Sequence, residues 1–216
     1  MESSRTYGGA TGAERAAGRR ERLIEAGVEL LGTEPEEGGG LTVRGACAAA
    51  GLTPRYFYES FASADELAAA VFEHVIAGAA EAVAIALAEA EADPAARSRA
   101  TVEAFVGFAV DDPRRARILF VEGVANESLR EQRAAALRTF AELAAAQGRE
   151  LYGTPADADR LVETTSFLVA GGMAELLVAW TRGELTSTRE ELIEDAAELL
   201  GAIGEAAART AARRQG

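Results

Sequence analysis

The sequence predicts an all-α protein, with an N-terminal three-helix domain followed by a C-terminal helical bundle of about six helices. Three observations carry that expectation. Alanine is abundant in a chain of 216 residues that holds only 5 prolines and 6% aromatic residues, a composition that favours helices. No run alternates apolar and polar residues as a half-buried strand requires. Caps, glycines and prolines divide the chain into segments of helical length.

The elements follow in order. Residues 1–13 are rich in Gly, Ser and Thr and read as a flexible tail. From Glu14 to about Gly32, Ile24, Val28 and Leu31 keep helical spacing beside Leu23 and Gly27, so this segment is expected to cover the next two helices and complete a domain over 14–62. The loop EPEEGGG, Glu34 to Gly40, follows; its glycines have neither the lysine nor the strand of a phosphate-binding loop.

Leu41 to Phe61, LTVRGACAAAGLTPRYFYESF, carries the densest punctuation. Thr42 is a helix N-cap, and Val43, Ala46, Cys47 and Ala50 recur at helical spacing. Gly51 ends that helix in the left-handed region, Leu52 anchors the turn, and Thr53 caps a second helix with Pro54 at its first position. The result is a helix-turn-helix. Phe57 and Phe61, four apart, face inward with Leu52, which leaves Pro54, Arg55, Tyr56 and Tyr58 pointing away. Arginine can reach a guanine edge with two hydrogen bonds, and tyrosine hydroxyls can reach phosphate oxygens. The candidate DNA-binding set is therefore Thr42, Arg44, Thr53, Pro54, Arg55, Tyr56 and Tyr58. The competing reading packs Tyr56 and Tyr58 against a neighbouring helix.

The body, 63–216, is read as a ligand-binding and dimerisation domain. Ser63 and Glu66 have capping-box spacing and open a long helix through Leu67, Val71, Val75 and Val83 towards Glu91, a link between reading head and body. Asp93-Pro94 ends it. Arg97 to Val110 carries Val102, Phe105, Val106 and Phe108; Asp112-Pro113 starts PRRARILFVEG; Asn126 or Ser128 opens a helix to about Tyr152; Thr154-Pro155 breaks the chain. The last two helices, Ala156 to about Gly183 and Ser187 or Thr188 to about Arg209, have broad apolar stripes. Gly171 and Gly172 in mid-helix cost about 1 kcal/mol each relative to alanine, which makes sense where another helix approaches closely. A four-helix interface between two copies is expected at Leu168, Gly172, Leu176, Leu192, Ala196, Leu199, Leu200 and Ile203. The alternative is that these residues close the chain's own core.

Charge and chemistry narrow the function. The net charge of −13 repels a polyanion, so any DNA binding has to be local. Leu41 to Phe61 holds Arg44 and Arg55 against Glu59, and Arg15, Arg19, Arg20 and Arg22 outnumber Glu14 and Glu21. The chain has no lysine, one cysteine (Cys47) and one histidine (His74), and it shows no nucleophile–base spacing, metal cluster or cofactor loop. A non-enzyme without cofactor or metal is expected. No stretch reads as long and apolar enough to cross a bilayer, and the N-terminus lacks an apolar signal core, so a cytoplasmic protein with no membrane partner is expected.

The segment LTPRYFYESFASADEL resembles the recognition helix and following helix start of the TetR (tetracycline-repressor-like) regulators, which the residues Leu52, Thr53, Phe57, Tyr58, Phe61 and Ser63 all fit. Ala64 stands where that family commonly has a phosphate-contacting lysine, leaving backbone N–H groups at the helix start for the phosphate. The body segments DPRRARILFVEG and AELLVAWTRGEL are similar to the family in order. The resemblance implies a homodimeric transcriptional regulator, a repressor, that binds a palindromic double-stranded DNA operator and is released by a small-molecule effector entering each body and shifting the linking helix. The expected pocket is Phe105, Phe108, Phe120, Phe140, Phe167 and Trp180 with His74 as a polar contact, which favours a hydrophobic or aromatic effector; each residue also fits a core role. A helical ligand-binding or scaffold protein that does not bind DNA is the alternative.

Overall fold

The computed structural model describes residues 11–34, 40–153 and 159–214. The tail up to residue 10, most of the EPEEGGG loop and the Thr154-Pro155 break lie outside the described residues. Among the described residues there are helices and turns and no strand. The chain divides into two compact units, Met1–Val71 and Phe72–Gly216.

In the first unit, helix α1 (Gly12–Gly32) starts two residues earlier than its apolar spacing suggests, because Thr11 and Glu14 form a capping box. The Glu14 N–H donates to Thr11 Oγ1 at 3.1 Å, and the Thr11 N–H donates back to the Glu14 carboxylate, which holds that carboxyl below its ordinary range. Helix α2 (Val43–Ala50) is capped by Thr42, whose Oγ1 accepts the Gly45 N–H at 3.0 Å. Gly51 then adopts φ 62° and ψ 38°, where a Cβ would be strained, and the Leu52 N–H closes the turn on the Cys47 carbonyl at 2.9 Å. Helix α3 (Pro54–Tyr58) follows, with Phe57 fully buried and Phe61 nearly so. Cys47 lies in the same core, and burial pushes its thiol pKa up.

Helix α4 (Ala64–Glu89) begins in the first unit and continues into the second. Ser63 Oγ accepts the Glu66 N–H at 3.1 Å, but the Glu66 carboxylate accepts from Ala62, one residue before the expected capping-box partner. A Cβ on Gly27 would lie 2.5 Å from Val71 Cγ2, so glycine is what lets α1 and the start of α4 meet.

The second unit adds α5 (Pro94–Val110), capped by Asp93, and α6 (Pro113–Arg117), capped by Asp112. The Arg114 guanidinium and N–H on Asp112 hold its carboxyl below the ordinary range. The PRRARILFVEG segment is not one α-helix: a π-helical turn, Ile118–Glu122, separates α6 from α7 (Gly123–Ala125). The wider turn places three consecutive apolar side chains inward. The Phe72 ring sits where a Cβ of Gly123 would be, 2.5 Å away, while Ile118, Leu119 and Phe120 are buried in succession. A 3₁₀ turn (Glu127–Leu129) capped by Asn126 leads into α8 (Arg130–Tyr152), which packs along α9 (Asp159–Thr181). Helix α10 (Arg189–Arg213) opens with a Thr188–Glu191 capping box and packs along α5 and α9.

The membrane expectation needs a correction. Both α4 and α9 are long and apolar enough to cross a membrane by length and composition. Alanine supplies much of that apolarity, and Glu73, His74 and Glu81 on α4 and Glu163 and Glu175 on α9 are exposed, an arrangement that hydrocarbon would penalise.

Gly123→Ala is expected to destabilise the protein by about 1–3 kcal/mol, because neither the Phe72 ring nor the Ile118 carbonyl 3.2 Å away can yield freely; urea unfolding measures it. Cys47 in the native protein is expected to react with a maleimide at pH 7.5 only at the rate of unfolding, and a fast native-state reaction would contradict its burial.

Candidate nucleic-acid interface and ligand cavity

The exposed face of α3 is assembled by the residues beneath it. Phe57 is fully buried, meeting Tyr58 edge-on with ring centroids 5.5 Å apart and Phe61 at 5.9 Å. With that side anchored, Arg55 stands with 85% of its side chain exposed, and Tyr58 is 60% exposed. Thr53 occupies the N-cap position but its hydroxyl makes no capping bond, leaving it free to donate outward. Pro54 and Arg44 are also exposed; Thr42 is exposed but its oxygen is committed to the α2 cap.

Electrostatics on this face centre on Glu59. Its carboxylate accepts from Arg55 Nε at 3.3 Å and from Arg19 Nη2 at 3.2 Å. Two arginines thus offset the only acid of the Leu41–Phe61 segment. The Arg19 guanidinium also lies 4.5 Å above the Tyr56 ring, so Tyr56, 39% exposed, is held by a cation–π contact as well as presented to solvent. Arg22 binds the α2 end by donating to the Ala50 carbonyl at 2.9 Å. Arg19 is a site residue that the sequence reading left out; its signal was the basic cluster in α1, but only the fold brings it onto α3. At the start of α4, Asp65 and Glu66 follow Ala64, so two carboxylates sit in the first turn, where a phosphate would compete with negative charge.

In the second unit a cavity of about 120 Å³ lies among α4, α5, the π-helical turn, α8 and α9. Phe105, Phe120 and Phe140 line it, the first and third packed edge to face with centroids 5.0 Å apart. Its polar lining is Thr101, Arg133 and Gln147. The Thr101 hydroxyl donates to the Arg97 carbonyl, and Arg133 pairs with Glu175, which leaves the wall close to neutral.

Four expected pocket residues lie elsewhere. His74 is exposed on α4 and Phe167 is 46% exposed on α9, because each points off the core side of its helix. The Phe108 ring fills the space over Gly78 and is covered by the Arg115 guanidinium at 4.2 Å. Trp180 donates its indole N–H to the Ser187 carbonyl at 2.8 Å, closing the turn between α9 and α10. The residues that the sequence reading missed, among them Phe72, Leu87, Leu119 and Met173, are ordinary core hydrophobes in a linear pattern.

The expected interface residues divide as well. Leu168 and Leu199 are 64% and 62% exposed, Gly172 is exposed, and Leu176 and Ile203 are half-buried. A Cβ on Gly171 or Gly172 would meet nothing within 4 Å among the described residues, whose packing does not call for either glycine. Leu192 and Ala196, in contrast, are buried where α10 packs within the chain, and Leu200 lines the cavity. Those three are corrected from a free surface to the chain's own interior.

No protein-family model matches the chain, and no curated protein matches it in sequence. Solved structures do match along most of its length. The fatty acid degradation regulator FadR from Bacillus halodurans is 16% identical over 84% of this chain and 94% of its own, with a TM-score of 0.67. EbrR, a multidrug binding protein solved with imidazole, is 22% identical over 86% of this chain and 94% of its own, TM-score 0.61. A TetR-like transcriptional regulator from a Rhodococcus species is 19% identical over 91% of this chain and 97% of its own, TM-score 0.56. With its N-terminal helix-turn-helix and its helical body, the chain has the fold of the TetR-like transcriptional regulators.

Proposed function

We propose that the protein is a DNA-binding transcriptional repressor that occupies a palindromic operator as a homodimer and leaves it when a small apolar ligand enters the body of each subunit. The observation that carries this reading is the α3 face. Arg55, Tyr56, Tyr58 and the uncommitted Thr53 hydroxyl stand exposed on a helix whose other side is anchored by Phe57, with Glu59 offset by two arginines. In a chain of net charge −13, affinity has to come from such local contacts and not from a basic surface.

The homodimer is supported by the exposed Phe167, Leu168 and Leu199 and by Gly171 and Gly172, whose lack of side chains no contact among the described residues explains. An apolar cavity in the body supports the ligand, and the description of EbrR as a multidrug binding protein agrees with an apolar effector. The acidic total and the carboxylates at the start of α4 favour a second reading, a ligand-binding protein that no longer binds DNA. A gel shift with the DNA flanking its own gene, at low salt and micromolar protein, separates the two: no shifted band there sinks the repressor.

Once an operator is found, Arg55→Ala is expected to weaken it about 10- to 100-fold, as the loss of one base-reading arginine does. Glu59→Gln is expected to strengthen binding several-fold, because it frees Arg55 and removes a negative charge. Both substitutions should leave the oligomeric state untouched in analytical ultracentrifugation. The pair Leu168→Glu and Leu199→Glu is expected to give a folded monomer with little operator affinity, and a double variant that stays dimeric would refute this interface.

A further inference from the structure

A second cavity, of about 80 Å³, adjoins the first among α5, α8, α9 and α10, and the two share Ala144, Gln147, Val169 and Leu200 as a common wall. Its chemistry is different. Ser98 and Ser166 line it, only 4% and 5% exposed, together with Thr165, Tyr152 and the Gln147 amide, and among the described residues no charged side chain borders it.

Hydroxyls on helices, exposed or half-buried, commonly donate to the carbonyl one turn back. Thr101, Thr164 and Thr181 do so here. Ser98 and Ser166 carry no such bond among the described residues, and their oxygens, which are not among the fully buried atoms lacking a partner, open on the cavity. A hydroxyl that opens on a cavity in an otherwise buried residue can take its hydrogen bond from whatever occupies that cavity. Two such hydroxyls opening on one cavity, from two helices, mark a place for a polar group.

We propose that the two cavities form one site for an elongated ligand whose apolar body fills the phenylalanine-lined chamber and whose uncharged hydroxyl- or carbonyl-bearing end is held by Ser98 and Ser166. Gln147, at the shared wall, can donate and accept midway along such a molecule. The end is uncharged for a physical reason: a carboxylate or ammonium here would be desolvated with no opposite charge among the described lining residues. Burial, followed by Glu205 and Asp93, also pushes the Tyr152 hydroxyl pKa up, so it remains a neutral donor, and that negative surrounding further disfavours an anion.

This inference rests on the ligand-binding part of the proposed function, and titration calorimetry at pH 7.5 on the full chain tests it apart from DNA. The probes are 1-octanol, octanoate, octylammonium and toluene. Octanol is expected to bind at least tenfold more tightly than octanoate or octylammonium. Ser98→Ala with Ser166→Ala should weaken octanol about tenfold, as the loss of two neutral hydrogen bonds does, and leave toluene, which fits the first chamber alone, unchanged. Ala207→Leu, which fills the second chamber, should abolish octanol binding and spare toluene. Absence of octanol binding, an equal or tighter octanoate or octylammonium, or octanol binding indifferent to both variants each overturns the proposal. Gel shifts on the same preparations read the operator separately: failure there removes the repressor and leaves the two-chamber site standing.

Discussion

Large side chains seated on glycines decide how these alanine-rich helices pack. A Cβ on Gly27 would collide with Val71, on Gly78 with Phe108, on Gly123 with Phe72 and on Gly204 with Tyr152, all at 2.5–2.9 Å. Alanine faces alone are smooth and weakly apolar, so they leave the sliding of one helix on another poorly specified. A ring or branched side chain pressed on a missing Cβ has one position. Each such glycine sacrifices about 1 kcal/mol of helix propensity relative to alanine, and the contact it permits fixes register between elements distant in sequence. The π-helical turn at Ile118–Glu122 lies beside one of these pairs, and its residues Leu119 and Phe120 reach the cavity wall.

The α3 face shows how an acidic protein can offset a carboxylate locally. Glu59 is not absent but engaged, by Arg55 on its own helix and by Arg19 from α1. The Arg55 pair is solvent-exposed and contributes little to stability, whereas the Arg19 side chain is largely covered, 22% exposed. Their consequence is local potential and side-chain position: Arg19 is drawn over Tyr56, and Arg55 is held along α3 until a stronger anion competes for it.

Much of the first unit was legible before any coordinates. Thr42, Gly51, Thr53 and Pro54 announce two helices and their turn because caps and left-handed glycines act through the backbone of a few adjacent residues. Phe57 and Phe61 declare their inward face by spacing alone. The cavity was less legible. Phe105, Phe120 and Phe140 meet there while Phe108, Phe167 and Trp180 do not, although all six are aromatics on body helices. Aromatic character states that a residue prefers burial; it does not state whether a glycine, an arginine or a turn carbonyl will receive it, as happens to Phe108 and Trp180.

By itself, then, the sequence determined the helical class, the ends of α2 and α3, the helix-turn-helix and the inward side of α3, since each depends on neighbours within about four residues along the chain. Only the tertiary structure decided which arginine offsets Glu59, which phenylalanines enclose a cavity, that Leu192 and Ala196 are interior while Leu168 and Leu199 are not, and that Ser98 and Ser166 open on one chamber. The reason is that a helical stripe broader than one contact can be turned by a fraction of a turn at small local cost. Its final rotation is set by the bulky residues of helices far away in the sequence.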